Sequence, residues 1–219
     1  MTKKTKQPWP TKDVMNQIYD MKPRGGKDVD FYSGFGSHNP DIVNPYLDYV
    51  ISFLKSQKKP LVVCDLGCGD FNIGKHLTKY SEKYIAVDIA ENLIDRNKTL
   101  FKATNLEFLC LDISKDTLLK ADVVIVRQVL QHLSNTEVQR ILNKLSVYKY
   151  ILLTEHLPIG EFIPNKDIIS GQGIRIKQHS GLVITESPFN FKFMKQQELV
   201  STKLNNNMGV LKTWLFSTF

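Results

Sequence analysis

VVCDLGCGDFNIG, residues 62–74, joins an apolar, strand-like run to a helical pattern through Gly67, Cys68 and Gly69 with no spacer between them. A strand that ends on glycines and turns directly into a helix is the opening unit of a parallel α/β sheet. Glycines at that turn let the backbone approach a ligand at the carboxyl edge of the strand. Two features narrow the ligand. A dinucleotide fingerprint would place glycine at position 72, where Asn72 stands, and the next glycine is Gly74. Asp65 lies two positions before the first glycine. A carboxylate there would repel a pyrophosphate but can accept hydrogen bonds around a cationic amino-acid group.

Outward from this stretch, short β-type runs alternate with amphipathic segments: LVVCDL (61–66), YIAVD (84–88), LEFLCLD (106–112), DVVIV (122–126) and YILLTE (150–155), with helices expected at 71–80, 91–103 and 135–146. Such alternation specifies a doubly wound α/β fold, Rossmann-like, with a mostly parallel sheet. Ser134 and Glu137 form an S-x-x-E capping box at the start of the last helix. A further helix at 45–56 is expected to open on Asn44 and Pro45. After Pro158 the alternation stops, and 159–195 reads as a long irregular stretch of the kind that carries function or a short hidden element. ELVSTKL (198–204) and VLKTWLFST (210–218) read as a C-terminal β-hairpin turning across NNNMG.

Asp88 ends the second strand, where a carboxylate can accept from both hydroxyls of a ribose, and Asp112 ends the third, where with Leu111 it can flank an adenine. Each acid alone could be a helix cap or a solvated charge. Acids at the ends of successive strands are harder to dismiss. S-adenosylmethionine has no phosphate and carries an ammonium and a sulfonium, so the charge pattern favours it over NAD as cofactor.

CDLGCGD (64–70), AVDIA (86–90), CLDIS (110–114) and VRQVLQHLS (126–134) resemble the successive motifs of the class I S-adenosylmethionine-dependent methyltransferases. The resemblance implies that Asp65, Gly67, Gly69, Asp88 and Asp112 bind the cofactor, with Asp70 and Arg127 as neighbours. A finer resemblance runs through SGFGSHNP (33–40), NPYLDYV (44–50), TEHLP (154–158), NKDI (165–168) and SPFNF (187–191). It is to small bacterial and large-virus methyltransferases found among glycan-building enzymes, including rhamnose O-methyltransferases of large algal viruses. This implies methyl transfer to a hydroxyl of a sugar or glycan acceptor, such as rhamnose or another deoxyhexose.

The residues after the fourth and fifth strands should meet the acceptor. The fourth strand is followed by VRQV, not by the N/D-P-P-Y/F/W sequence of adenine and amide N-methyltransferases. A sugar hydroxyl needs a base within hydrogen-bond reach. His156 is the best placed, with Glu155 and Asp167 as helpers or rivals and His132 as the other candidate, although a packing role for His132 fits its apolar neighbours. Glu155, His156 and Asp167 could alternatively hold a divalent metal; no metal site is otherwise expected. Methylation of RNA or protein, or a non-catalytic binding module on the same fold, are the competing readings.

The chain of 219 residues, 42% hydrophobic and 23% charged, suits one domain, taken as 44–219, preceded by an arm or lid over 1–43. Trp9, Tyr32 and Phe35 of the arm could stack on adenine or a sugar face, or simply dock on the core. The net charge of +7 permits anionic partners, but its lysines are scattered, so a nucleic-acid surface is not expected. Cys64, Cys68 and Cys110 lie in or beside strand-like runs and match no zinc spacing, which suits a reducing compartment. With no secretory signal and no apolar run of membrane-spanning length, a cytoplasmic protein without membrane insertion is expected.

Overall fold

A computed structural model describes residues 9–20, 31–204 and 208–219. Its central strands are β1 (Leu61–Leu66), β2 (Ser81–Asp88), β3 (Leu106–Cys110), β4 (Val123–Arg127) and β5 (Tyr150–Leu157), all parallel where they pair. An antiparallel hairpin of β6 (Lys195–Lys203) and β7 (Val210–Ser217) completes a seven-stranded sheet in the order β3-β2-β1-β4-β5-β7-β6. The mostly parallel Rossmann-like sheet and its C-terminal hairpin are as the sequence predicts. Residues 205–207 of the expected NNNMG turn lie outside the described residues. Because the order reverses between β1 and β4, a crevice opens at their carboxyl ends, the ligand position of open α/β sheets.

Every residue of β4 is buried, which explains the unbroken apolar run of residues 123–126: both faces of the sheet are covered. Val124 and Val126 pack toward Ile141, Leu142 and Leu145 of helix α5 (Asn135–Leu145), whereas Val63 and Ile125 pack toward Val50 and Leu54 of α2 (Pro40–Lys55). Helix α2 starts five residues before the expected 45. Asn39 is its cap, accepting from the Asp41 N–H at 3.0 Å, and Pro40 occupies the first turn. Asn44 and Pro45 therefore lie inside the helix, where Pro45 removes one i→i−4 bond.

The helix expected at 71–80 contracts to α3 (Gly74–Leu77) and a 3₁₀ turn, Thr78–Tyr80. Phe71 is the reason. At φ 63° it leaves the helical path and directs its ring onto Tyr84, Phe101 and Phe108, with centroids 5.8, 5.1 and 4.8 Å away. Helix α4 covers Glu91–Leu100, shorter than expected at its end. In α5 the Ser134 hydroxyl accepts from the Glu137 N–H as a capping box requires, but the Ser134 N–H donates to the Ser170 hydroxyl. Glu137 accepts instead from the hydroxyls of Thr11, Ser134 and Ser170.

Of the expected arm, residues 9–20 and 31–43 are described. Thr11–Asp20 form helix α1, joined to α5 through the Thr11–Glu137 bond, and residues 33–38 lie across the glycine turn. The irregular stretch after β5 does contain a short element, the 3₁₀ turn Arg175–Gln178. Asn165 organises its core: Oδ1 accepts from the Val183 N–H at 2.8 Å, and Nδ2 donates to Val183 O and Ser187 O at 2.8 and 2.9 Å.

Candidate active site

A cavity of about 550 Å³ occupies the crevice, walled by the glycine turn after β1, the ends of β2 and β4, segment 32–37 and the loop after β5. The two glycines are required by conformation and by space. Gly67 has φ 82° and Gly69 φ 56°; a Cβ on the first would lie 2.3 Å from Val129 Cγ2, and on the second 2.1 Å from Ser33 Oγ. Gly69→Ala is therefore expected to displace Ser33 and strain the turn, destabilising the chain by about 1–3 kcal/mol. Urea denaturation measures it; an unchanged midpoint would show that Ser33 and its segment yield freely.

Asp65 lies on β1 with its carboxylate accepting from the Tyr84 hydroxyl at 2.9 Å. Burial pushes its carboxyl up to about 6, against the Tyr84 bond and the Arg127 guanidinium. Arg127, at the end of β4, stacks 4.9 Å from the Tyr46 ring centroid and donates to Ser37 Oγ at 3.0 Å and Gly36 O at 2.5 Å. Among the described residues Arg127 Nε and the Tyr46 hydroxyl are buried without a hydrogen-bond partner, and both residues line the cavity. Unpartnered buried donors are costly, so a ligand acceptor is expected there. Beside them Asp65 offers a negative group, and the combination suits an α-amino acid: carboxylate toward Arg127 and Tyr46, ammonium toward Asp65.

Asp88 also lines the cavity, with Oδ2 accepting from the Gly69 N–H at 3.0 Å and Oδ1 from the Ala90 N–H at 3.2 Å. Burial raises its carboxyl above the ordinary range, in spite of these bonds. Ile89, Leu111 and Ile113 beside it give an apolar slot for a purine. Asp112 borders this slot, but its carboxylate holds the turn after β3: it accepts from the Ser114 N–H and hydroxyl at 3.0 and 2.7 Å, and Lys115 Nζ lies 2.9 Å away. Burial would raise Asp112; the bonds from Ser114 and Lys115 outweigh it and leave the carboxyl below its usual value.

Asp70 is not among the cavity-lining residues. Its carboxylate accepts from the Ser33 N–H at 2.8 Å and pairs with His38 Nε2 at 2.6 Å, while its own N–H donates to Ser33 Oγ at 2.7 Å. With the Asn72 side chain donating to Ser37 O, it straps segment 33–38 onto the glycine turn. Of the arm aromatics, Tyr32 and Phe35 line the cavity, whereas Trp9 is exposed and does not.

The sequence grouped four residues at the reacting end, and the structure separates them. His156 and His132 line the cavity; Glu155 and Asp167 do not. Side chains alternate along β5, so Glu155 points into the interior, where burial raises its pKa well above the usual range, against the Arg175 charge and the backbone N–H of Gln131. Asp167 Oδ1 accepts from the Asn135 and Ile168 N–H groups at 2.7 and 2.9 Å, holding the start of α5. No group of three or more His, Cys, Asp or Glu side chains among the described residues is arranged to hold a metal ion, so Glu155, His156 and Asp167 do not form the alternative metal site.

His156 Nε2 lies 2.7 Å from Met208 O, and its N–H donates to Gln131 Oε1 at 3.1 Å. Burial lowers the imidazole pKa, with the Met208 bond acting the other way. His132 Nδ1 lies 3.1 Å from Gly171 O, and the Gly171 N–H returns to His132 O at 2.9 Å, which joins the turn after β4 to the loop after β5. Gln131, Tyr46 and the serines of the strap were not singled out from sequence. SGFGS signalled the strap, but nothing in QVLQH distinguished Gln131 from a solvated amide.

Residues 63–147 match the family model described as a methyltransferase domain. The chain has the class I methyltransferase fold. The N-methyltransferase NodS of Bradyrhizobium japonicum, in complex with S-adenosyl-L-homocysteine, superposes with a TM-score of 0.67 at 12% identity, over 93% of this chain and 100% of that one. Magnesium protoporphyrin IX methyltransferase of Synechocystis with bound S-adenosylmethionine gives 0.59 at 15% identity, over 98% and 100%. In sequence, the carboxy-S-adenosyl-L-methionine synthase of Helicobacter hepaticus is 25% identical over 193 residues, 82% of this chain and 79% of the relative. The three proteins are named for different reactions. No helix among the described residues is long and apolar enough to cross a membrane.

Proposed function

We propose that this protein is an S-adenosylmethionine-dependent O-methyltransferase acting on a hydroxyl of a small sugar or sugar-terminated acceptor, such as a deoxyhexose. The observation that carries the reading is His156: an imidazole on the cavity wall, kept neutral by burial and oriented by the Met208 carbonyl, beside the amide of Gln131. Bound at the glycine turn, the cofactor supplies an electrophilic methyl group. Asp65, Arg127 and Tyr46 would hold its amino-acid end and Asp88 its ribose. His156 then receives the hydroxyl proton while the strap and the loop after β5 exclude water and fix the line of attack. Gln128, Gln172 and Thr11 give the rest of this wall hydrogen-bonding groups suited to a polyhydroxylated acceptor. The three free cysteines suit a reducing, cytoplasmic setting.

The test is S-adenosylhomocysteine release with labelled S-adenosylmethionine and a panel of rhamnose- and other deoxyhexose-terminated glycans, amines, RNA and peptides. Label recovered as a sugar methyl ether supports the reading; label only on nitrogen, RNA or peptide refutes it. Asp88→Ala should weaken S-adenosylhomocysteine binding by roughly 1.5–3 kcal/mol for each charged hydrogen bond lost. Calorimetry measures this, and unchanged affinity in a folded variant removes the ribose assignment.

A second reading rests on the carboxy-S-adenosyl-L-methionine synthase relative and on the unpartnered Arg127 Nε and Tyr46 hydroxyl, which would also suit a carboxyl carried by the cofactor. Mass spectrometry of the nucleoside that co-purifies with the protein separates the two. Unmodified cofactor favours methyl transfer, and a species heavier by one carboxyl group favours the second reading.

A further inference from the structure

One arginine fixes the loop after β5 over the cavity. Arg175 is 1% exposed, and its guanidinium reaches five acceptors: Nε donates to Lys166 O at 2.9 Å, Nη1 to Leu130 O and Gln131 O at 3.3 Å each, and Nη2 to Leu133 O and Asn135 Oδ1 at 2.8 and 2.7 Å. The acids that act on it are the buried Glu155, the residue before His156, and Asp167. Three of the five acceptors are carbonyls of residues 130–133, the turn that follows β4 and delivers Gln131 and His132 to the cavity.

That turn carries hydrogen bonds of one consistent polarity. A carbonyl can only accept, so the contact with Gly171 O puts a proton on His132 Nδ1, and in the neutral ring Nε2 is then the acceptor. Gln131 Nε2, which can only donate, lies 3.4 Å from it, a long contact. This orientation of the amide points Gln131 Oε1 at the His156 N–H, 3.1 Å away. The tautomer of His132, the amide of Gln131 and the backbone at His156 thus constrain one another, and the turn that holds two of them is held by Arg175.

From this geometry we infer that Arg175 is a positioning residue for the acceptor side of the cavity, setting the turn through which Gln131 and His132 locate His156. The inference rests on the reading of His156 as the base, but its structural half is measurable without an acceptor. The experiment is side-chain nitrogen NMR of the histidines in the full chain, wild type against Arg175→Lys, with S-adenosylhomocysteine affinity and turnover measured alongside. Lysine keeps the charge opposite Glu155 but supplies at most about three of the five donors.

The wild type should show His132 as a single Nδ1–H tautomer. Arg175→Lys should shift it toward a mixture and lower turnover on the order of 10-fold at unchanged S-adenosylhomocysteine affinity. A mixed tautomer in the wild type, or a single Nδ1–H tautomer with full turnover in the variant, overturns the inference. Should Arg175→Lys fail to fold, Gln131→Met decides, since it leaves the arginine clamp intact. It should speed hydrogen exchange at the His156 amide, and wild-type protection there overturns the inference. If the NMR and exchange changes occur while the wild type methylates no hydroxyl, the positioning role stands and the O-methyltransferase reading fails.

Discussion

His156→Ala is expected to lose roughly 10²- to 10⁴-fold in methyl transfer, with cofactor affinity little changed. The Met208 carbonyl 2.7 Å from Nε2 can only accept, so Nε2 carries the proton and Nδ1 is the basic nitrogen. Burial lowers the ring pKa below 6.5, so the neutral, proton-accepting form persists to lower pH than in a free histidine. Turnover should accordingly stay level as pH falls through the ordinary imidazole range and drop only below it. The matched variants are His132→Ala, Glu155→Gln and Asp167→Asn. Glu155 and Asp167 lie off the cavity, so their isosteric variants should retain most turnover. If His132→Ala is inactive and His156→Ala nearly normal, the base belongs to the turn after β4. Loss of turnover on chelation, restored by magnesium, would also defeat the metal-free account.

The glycine turn could be read from sequence because its determinants are local. Gly67 and Gly69 take their positive φ at the turn itself, directly after the apolar run of β1. The sheet was recoverable for the same reason: apolar runs with crossover helices admit few arrangements. What escaped depends on contacts between distant segments. Asp70 lies where a cofactor-binding acid was expected, yet its carboxylate is bonded to the strap, to a residue 37 positions away. Glu155 and His156 are adjacent, and only the pleat of β5 shows that one faces the interior and the other the cavity. Arg175 had no signal, since an arginine in a polar loop normally reads as solvated. The early start of α2 was visible in Asn39-Pro40 but was masked by the similar Asn44-Pro45 pair.

Asp65→Asn should remove a pH-dependent loss of stability and, with it, much of the cofactor affinity. In the unfolded chain the carboxyl titrates near 3.8, and in the folded chain burial moves it to about 6. Between those values the folded chain keeps a proton that the unfolded chain has released, so stability falls as pH rises through the interval and levels off above it. A displacement of that size corresponds to about 3 kcal/mol. Asparagine is neutral at every pH and can still accept from the Tyr84 hydroxyl, so the variant should lack this slope and be the more stable protein, without ligand, above the interval. Binding should move the other way. The ligand ammonium favours the carboxylate, so wild-type affinity for S-adenosylhomocysteine should rise with pH across the same interval. The variant should bind with little pH dependence and, near neutrality, more weakly by roughly 1.5–3 kcal/mol. Denaturation and calorimetric titrations at a series of pH values across the interval check both halves. A wild-type stability profile as flat as the variant's would mean that Asp65 is ionised throughout, and equal affinities would place the ammonium elsewhere in the cavity.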